Sequence, residues 1–169
     1  MAVPPEEVRS VMGRFATGVA VVASLLDDEP VGMTANAITS VSLDPPLLLF
    51  CGLRAASTSL GIVQSGVFSV NFLHREHVCL AERFAQSRPD KFESVVHEPG
   101  VTGAPVLFYA IGNLECLVRD VYDGGDHFIF VASVEGARGR PGGTPLLTFR
   151  GSFHAAQPLS APRSPRDTR

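Results

Sequence analysis

The chain has 169 residues and lacks the marks of several large protein classes. No apolar run approaches the roughly 20 residues that a membrane-spanning helix requires. The formal net charge of -3 leaves no broad basic surface for nucleic acid. Prolines and glutamates occupy residues 4–7, where a secretory leader would be basic and then apolar. The sequence therefore predicts a cytoplasmic protein with no membrane span, no bound nucleic acid and a small molecule as its default partner.

Cysteine is also scarce, with only Cys51, Cys79 and Cys116. An odd number of widely separated cysteines without a Cys-x-x-Cys spacing argues against a disulfide framework or a zinc site. Free cysteine packs as a small hydrophobe, so all three are predicted to be ordinary buried thiols. Any redox chemistry then has to come from a cofactor.

The signatures of several other kinds of site are missing. No Gly-x-Ser-x-Gly marks a hydrolase nucleophile, and no Gly-x-Gly-x-x-Gly follows a strand to bind a dinucleotide in a Rossmann fold. His74 and His77 are three residues apart, but they span a predicted strand-to-helix junction and have no identifiable third ligand. No metal site is therefore predicted.

Small and apolar residues are abundant, with 16 glycines, 13 prolines, 45% hydrophobic residues and only 18% charged residues. This composition favours many short elements joined by tight turns. Periodicity predicts helices over residues 4–16, 57–64 and 75–86. Strands are predicted over residues 19–26, 31–38, 41–43, 47–53, 68–73, 106–110, 114–122, 128–135 and 146–149. The expected fold class is mainly β with peripheral helices, in a closed or split antiparallel barrel. One domain is expected over residues 1–156, followed by a flexible tail over residues 157–169.

Small and hydroxyl side chains dominate the first part of Gly32–Pro46 (GMTANAITSVSLDPP), where a pair of strands is predicted. A flat aromatic ligand with carbonyl and ring-nitrogen edges needs close backbone amides and a few well-placed donors and acceptors. The side chains that supply them are Thr34, Asn36, Ser40 and Ser42. The same residues are equally compatible with a polar sheet edge whose hydroxyls are satisfied within the protein.

Five blocks, in order between about residues 8 and 154, resemble the short-chain flavin reductases. The blocks are Phe15–Val19 (FATGV), Gly32–Asn36 (GMTAN), Ser40–Pro46 (SVSLDPP), Phe68–Leu73 (FSVNFL) and Gly125–His127 (GDH). Their joint occurrence is far more specific than any single block. The resemblance implies a flavin reductase-like split barrel, also called an FMN-binding split barrel, that forms a homodimer. It also implies hydride transfer from NADH or NADPH to FAD or FMN, and release of reduced flavin to a partner flavin-dependent monooxygenase.

The resemblance also implies a set of cofactor contacts. The implied flavin contacts are Thr34, Ala35 and Asn36 at the isoalloxazine edge, and Ser40, Val41 and Ser42 along the ring and the ribityl chain. Phe84 is implied to pack against the flavin, with packing in the protein core as the alternative. The family often has an aromatic hydroxyl where this chain has Phe153, which weakens a tyrosine-type contact but leaves stacking on a ring open.

Residues 54–58 (RAAST) lie at the start of a predicted helix, where unpaired amides and the positive end of the helix dipole favour a phosphate. Ser57 and Thr58 are the candidate phosphate-binding residues, and Ala56 beside them is included in the site. Ser57 is equally suited to cap the helix. Arg54 either points inward as a charged partner or is solvated.

His127 follows a Gly-Gly-Asp turn and precedes a strongly apolar strand. Histidines on loops of a rigid scaffold are reasonable functional candidates. The resemblance implies that His127 helps to receive the nicotinamide nucleotide, which makes it the one candidate catalytic residue. The alternative is a turn histidine without a function. Hydride transfer needs stacked rings and exclusion of water, so no catalytic nucleophile is required.

Two other functions remain compatible with these residues. The same barrel could hold FMN or FAD tightly and act as an oxidase or tailoring enzyme on an organic substrate. It could also bind flavin without being an enzyme. NAD(P)H oxidation that depends on added flavin distinguishes a reductase of diffusible flavin from both.

Overall fold

The computed structural model describes residues 3–158. The helices are α1 (Pro5–Met12), α2 (Ser57–Ser65) and α3 (Val78–Ala85). The strands are β1 (Thr17–Gly18), β2 (Ala20–Leu26), β3 (Glu29–Ala35), β4 (Ile38–Leu43), β5 (Pro46–Leu53), β6 (Val67–Leu73), β7 (His97–Pro99), β8 (Pro105–Leu107), β9 (Ala110–Gly124), β10 (His127–Gly139), β11 (Leu146–Phe149) and β12 (Ser152–Ala155). From residue 159 onward, the predicted flexible tail lies outside the described residues.

Seven antiparallel strands form the main sheet, in the order β3-β2-β6-β9-β10-β5-β4. The two edge strands, β3 and β4, are consecutive in the chain and are separated only by Asn36 and Ala37. The sheet must therefore curl until its two edges meet at this connection, although no ladder joins them. The result is the predicted fold, a mainly β, antiparallel split barrel with peripheral helices.

Aromatic side chains fill the inside of the barrel. Phe50, Phe68 and Phe130 are completely buried, and their ring centroids lie 5.8 to 6.5 Å apart. Burying one such side chain contributes about 1.5–3 kcal/mol. Because this core occupies the interior, a ligand has to bind at an end of the barrel or on its outside.

A second core lies on the outer face of β2 and β6, where α3 packs. Phe84 of α3 is 1% exposed there, and its ring centroid is 5.0 Å from that of Phe92. A side chain at Gly32 of β3 would lie 2.8 Å from the Phe84 ring, so this glycine is what lets the helix approach. Phe84 thus packs in this second core, as in the core alternative given for it from the sequence.

Helix α1 is shorter than predicted and buries none of its residues. The expected helix over residues 4–16 ends at Met12, and the chain then enters β1. The apolar stripe is present, but Val8, Val11, Met12 and Phe15 are 49–68% exposed because no element of the described chain covers them. No helix within residues 3–158 is long and apolar enough to cross a membrane.

Several local predictions were wrong. Ser57 is the first residue of α2 and not its cap, since the N-cap position is Ala56 and no side chain caps this end. Asp44 and Pro45 form the tight turn between β4 and β5, and Pro46 is already part of the ladder because it pairs with Leu43. The cysteines are free, but Cys79 is exposed and only Cys116 is fully buried.

Candidate functional site

A cavity of about 960 Å³ opens at the end of the barrel where β3 meets β4. The segment over residues 12–18, the connection and first half of β4 over residues 36–40, and the turn over residues 148–151 surround it. Most of its wall is apolar, including Phe15, Phe72 and Phe149. An apolar cleft with a few polar groups at its edge is the usual form of a site for a flat organic ligand.

Two residues of the predicted flavin site, Asn36 and Ser40, line this cavity. The side-chain amide of Asn36 donates to Oγ1 of Thr17, 3.0 Å away, which fixes the orientation of the amide. Ser40 is exposed at the wall beside Thr39. Both side chains can therefore meet a ligand without any rearrangement of the barrel.

Thr34 offers its backbone and not its hydroxyl, which donates to the carbonyl of Ala81 in α3 at 2.6 Å. The two-residue turn between β2 and β3 makes Leu26 and Glu29 a hydrogen-bonded pair, and such pairs alternate along the ladder. Thr34 opposite Val21 is then a non-hydrogen-bonded pair, so its N–H and C=O point to the open edge of β3. Ala35 packs against the interior core.

Val41 and Ser42 lie beyond the cavity on β4. The register shifts between Ser40 and Ser42, which makes Val41 the extra residue of a bulge, and it is 50% exposed. The hydroxyl of Ser42 accepts a hydrogen bond from the amide of Asp44 at 3.2 Å. The structure therefore does not bring these two residues together with Asn36.

The phosphate and nucleotide candidates gather at the end of β5, next to the same connection. Leu53 pairs with His127, and the amide of Arg54 donates to the carbonyl of Asp126 at 3.0 Å. The amide of Cys51 donates to the carbonyl of Ala37, also at 3.0 Å. Cys51 and Leu53 are two residues apart, about 7 Å along a strand, so the cavity and the His127 turn are neighbours.

The side chain of Arg54 is held on the surface. Its guanidinium donates to the carboxylate of Asp123 at 2.6 Å and lies 4.2 Å from the ring centroid of Phe128. The Arg54 side chain therefore neither points inward nor extends freely into solvent. It lies against the 123–128 segment, which supplies both of its partners. Arg54 thereby ties the start of α2 to the turn that carries His127.

His127 is half-exposed, and its Nδ1 lies 2.7 Å from Oδ1 of Asp126. This hydrogen bond, and after it the charge of a protonated His127 ring, lowers the pKa of Asp126 below its usual value. The charge of Arg9, a residue that also lines the cavity, contributes in the same direction.

The start of α2 has the geometry of an anion site in part. Ser57 is exposed in the first turn, whereas Thr58 is 1% exposed and its hydroxyl has no hydrogen-bond partner among the described residues. Ala56 supplies the first helical carbonyl, which accepts from the amide of Leu60. The first-turn amides have no partner inside the helix, so they remain available to an anion.

Phe153 lies on β12, is 38% exposed and is paired with Thr148, which lines the cavity. It is therefore beside the cavity and not in its wall. The neighbouring Phe149 does line it, together with Thr17 and Arg150. The sequence did not mark these three residues as site residues. The block Phe15–Val19, which contains Thr17, was the one signal that this segment belongs to the site.

Comparison with known proteins agrees with this geometry. The model of the flavin reductase like domain matches residues 12–157. The reductase subunit of a flavin-dependent monooxygenase from Mycobacterium tuberculosis is 35% identical over 158 residues, which cover 92% of this chain and 84% of that protein. An NADH-dependent FAD reductase from Streptomyces globisporus is 39% identical over 157 residues, which cover 90% and 86%.

Solved structures show the same fold. The Streptomyces globisporus NADH:FAD oxidoreductase in complex with NAD and FAD fragments superposes with a TM-score of 0.87 at 36% identity, covering 95% of this chain and 99% of that one. Nitrilotriacetate monooxygenase component B from Mycobacterium thermoresistibile gives a TM-score of 0.88 at 35% identity, with coverage of 96% and 93%. This chain belongs to the flavin reductase-like family.

Proposed function

We propose that the protein is a flavin reductase that oxidises NADH, reduces FAD and supplies the reduced flavin to a partner monooxygenase. The observation that carries this proposal is the apolar cavity at the barrel end, edged by Asn36 and Ser40 and adjoining the His127 turn. The names of the relatives from Mycobacterium tuberculosis and Streptomyces globisporus support the monooxygenase partner, NADH and FAD. FMN and NADPH are the alternative substrates.

The residues at the cavity fit a flavin ring. A flavin carries carbonyl and N–H groups along one edge of a flat apolar ring system, and it supplies the hydride-accepting chemistry itself. The Asn36 amide and the open backbone edge at Thr34 would hold the polar edge, while Phe72 and Phe149 provide apolar wall. Ser57 and the first-turn amides of α2 offer one place for a phosphate group of either the flavin or the nicotinamide nucleotide.

His127 is assigned to the nicotinamide nucleotide because it is half-exposed and stands where β10 meets the end of β5. Its Nδ1 is engaged by Asp126, so the carboxylate holds the ring in one orientation. In this assignment His127 orients a substrate and moves no proton. The chain's contribution to catalysis is to position two rings and to exclude water between them.

A homodimer is proposed from the apolar surface that the single chain leaves uncovered. The stripe on α1 and the side chains of Val41 and Leu43 on β4 are all at least 49% exposed, with Leu43 at 88%. A short helix draws most of its stability from packing of its apolar face, so a second copy of the chain is the expected cover. Sedimentation of the purified chain at two concentrations tests the homodimer, and a monomer at both concentrations would contradict it.

A cytoplasmic location is proposed together with the reductase function.

The reductase function is tested by steady-state NADH oxidation with and without added FAD. We expect saturable turnover that requires added FAD and a protein that releases flavin on dialysis. Flavin that stays bound while turnover requires an organic substrate would instead identify an oxidase or tailoring enzyme. Bound flavin with no consumption of NADH or NADPH would identify a flavin-binding protein without enzymatic activity.

A further inference from the structure

A second cavity, of about 520 Å³, adjoins the first at the mouth of the barrel and differs from it in charge. Three arginines, Arg9, Arg14 and Arg150, line it, with Glu6 as the acidic residue. The two cavities share Arg9 and Arg150, as well as the glycines at 13 and 151. An apolar cleft for a ring system thus continues into a basic one.

The backbone holds this basic cavity together. The amide of Arg150 donates to the carbonyl of Gly13 at 2.8 Å, which fixes the turn between β11 and β12 against the end of α1. Arg9 and Arg14 lie on either side of Gly13 in the chain. The three guanidinium groups are therefore gathered by the fold from two distant segments, and are not neighbours on one helix face.

Arg150 occupies an unusual position for an arginine. Phe149 pairs with Ser152, so Arg150 and Gly151 form a two-residue hairpin turn, with φ of 51° and 75°. The first residue of such a turn is normally Asn, Asp or Gly, because the left-handed conformation brings Cβ too close to the following carbonyl oxygen. Gly has no Cβ, and Asn and Asp offset the cost with local hydrogen bonds. A strained residue in a turn beside a cavity points to a function of its side chain. The guanidinium lies 5.2 Å from the ring centroid of Phe149, which lines the first cavity.

The lining of this cavity carries more positive than negative charge. Among the ion pairs formed within residues 3–158, none includes Arg9, Arg14 or Arg150. With three arginines and one glutamate, the lining carries a formal charge of 3 − 1 = +2. Arginine is well suited to phosphate oxygens because its planar fork donates two parallel hydrogen bonds.

We propose that Arg9, Arg14 and Arg150 bind the phosphate groups of a dinucleotide whose ring lies in the adjoining apolar cavity. This proposal rests on the proposed function and adds a site to it. A pyrophosphate carries two negative charges, which match the excess of the lining. FAD and NADH both combine such a group with a flat ring, and the experiment below distinguishes these two sources.

The test uses two variants that each remove one arginine of the basic cavity, and one control variant. Arg14→Gln removes the charge but keeps a long polar side chain. Arg150→Asn removes the charge and places a residue that the turn favours. Arg140→Gln is the matched control, because Arg140 is also exposed and lies 4.6 Å from a phenylalanine ring centroid, that of Phe108, but it lines neither cavity. Thermal unfolding of each variant establishes that the fold is kept.

Two quantities are measured at low ionic strength. The first is the Kd of FAD and of riboflavin, which lacks phosphate, from the change in flavin fluorescence. The second is the KM of NADH. We expect each variant to raise the Kd of FAD or the KM of NADH by about threefold or more, with riboflavin unchanged and the effect reduced by added salt. A rise for FAD alone assigns the site to the flavin phosphates, and a rise for NADH alone assigns it to the nicotinamide nucleotide.

The proposal is overturned if both constants stay at wild-type values, if riboflavin weakens as much as FAD, or if Arg140→Gln has the same effect. A wild-type protein that binds FAD but oxidises no NADH would refute the reductase function instead. In that case the FAD and riboflavin titrations of the variants still decide whether the arginines bind phosphate.

Discussion

The side-chain amide of Asn36 donates a hydrogen bond to the hydroxyl oxygen of Thr17, 3.0 Å away, and both residues line the cavity at the barrel end. This bond joins the connection between the two barrel edges to the segment that precedes β2. Thr17 thereby sets the direction in which Asn36 presents its polar atoms. The two residues are expected to act together in binding a ligand.

Replacing Asn36 by leucine is expected to weaken flavin binding without unfolding the domain. The change removes polar contacts from the wall of the cavity and should raise the Kd by about 5- to 30-fold, or 1–2 kcal/mol. Because Asn36 is exposed, its effect on the free energy of unfolding should stay within about 0.5 kcal/mol. Thr17→Val, which leaves the amide but not its partner, should have a smaller effect. A wild-type flavin affinity in Asn36→Leu contradicts the assignment.

His127→Ala is expected to raise the KM for NADH more than it lowers kcat. The ring is held by Asp126 at 2.7 Å, so Asp126→Asn, which keeps an acceptor but loses its charge, should raise the same KM by less. Initial rates over a range of NADH concentrations at saturating FAD measure both. If neither variant differs from the wild type, His127 is a turn residue without a function in the reaction.

The three thiols should differ widely in reactivity. Burial, and after it the charges of Glu115 and Glu135, raises the pKa of Cys116 to about 12, and burial also raises the pKa of Cys51. Since the thiolate is the reactive form, Cys116 should resist alkylation at neutral pH until the chain unfolds, whereas the exposed Cys79 should react at once. Mass spectrometry after brief labelling, with Cys79→Ser as control, gives the order in which the three thiols are alkylated. Early modification of Cys116 would show that the β9 core opens readily.

Gly61→Ala should destabilise the fold, although glycine to alanine usually stabilises the interior of a helix by about 1 kcal/mol. A Cβ at Gly61 would lie 2.7 Å from the carbonyl oxygen of Leu25 and 2.9 Å from Val31, and the first of these atoms is backbone. We expect a net loss of about 1–2 kcal/mol in denaturant unfolding. Val63→Ala on the exposed side of the same helix is the control, with a change expected within about 0.5 kcal/mol. Stabilisation by Gly61→Ala would mean that α2 lies farther from β2.

Much of this architecture could be predicted from the sequence because the strands alternate in burial or are bounded by turn residues. The hairpin of β2 and β3 is an example, with Asp27 and Asp28 at its turn. The short strands β1, β7 and β12 could not be predicted, since two to four residues carry too little pattern. Their pairing depends on contacts with distant segments, such as that of Thr17 with Thr148.

The site was predictable only in part, and for a physical reason. The block that contains Asn36 marks a connection between strands, which sequence can locate. Sequence cannot show which hydroxyl groups already make hydrogen bonds within the protein, as those of Thr34 and Ser42 do. Nor can it place Phe84, whose helical spacing suits a core and a ligand pocket equally. The basic cavity was not foreseen because its arginines come from opposite ends of the chain.

Anaerobic mixing of a catalytic amount of protein with excess FAD and NADH shows whether this chain reduces flavin as a diffusible substrate. Each hydride taken from NADH, with one proton, converts one FAD to its two-electron reduced form. We expect that all of the FAD loses its absorbance, with one NADH consumed per FAD. Reduction that stops at one flavin per protein chain would contradict this expectation.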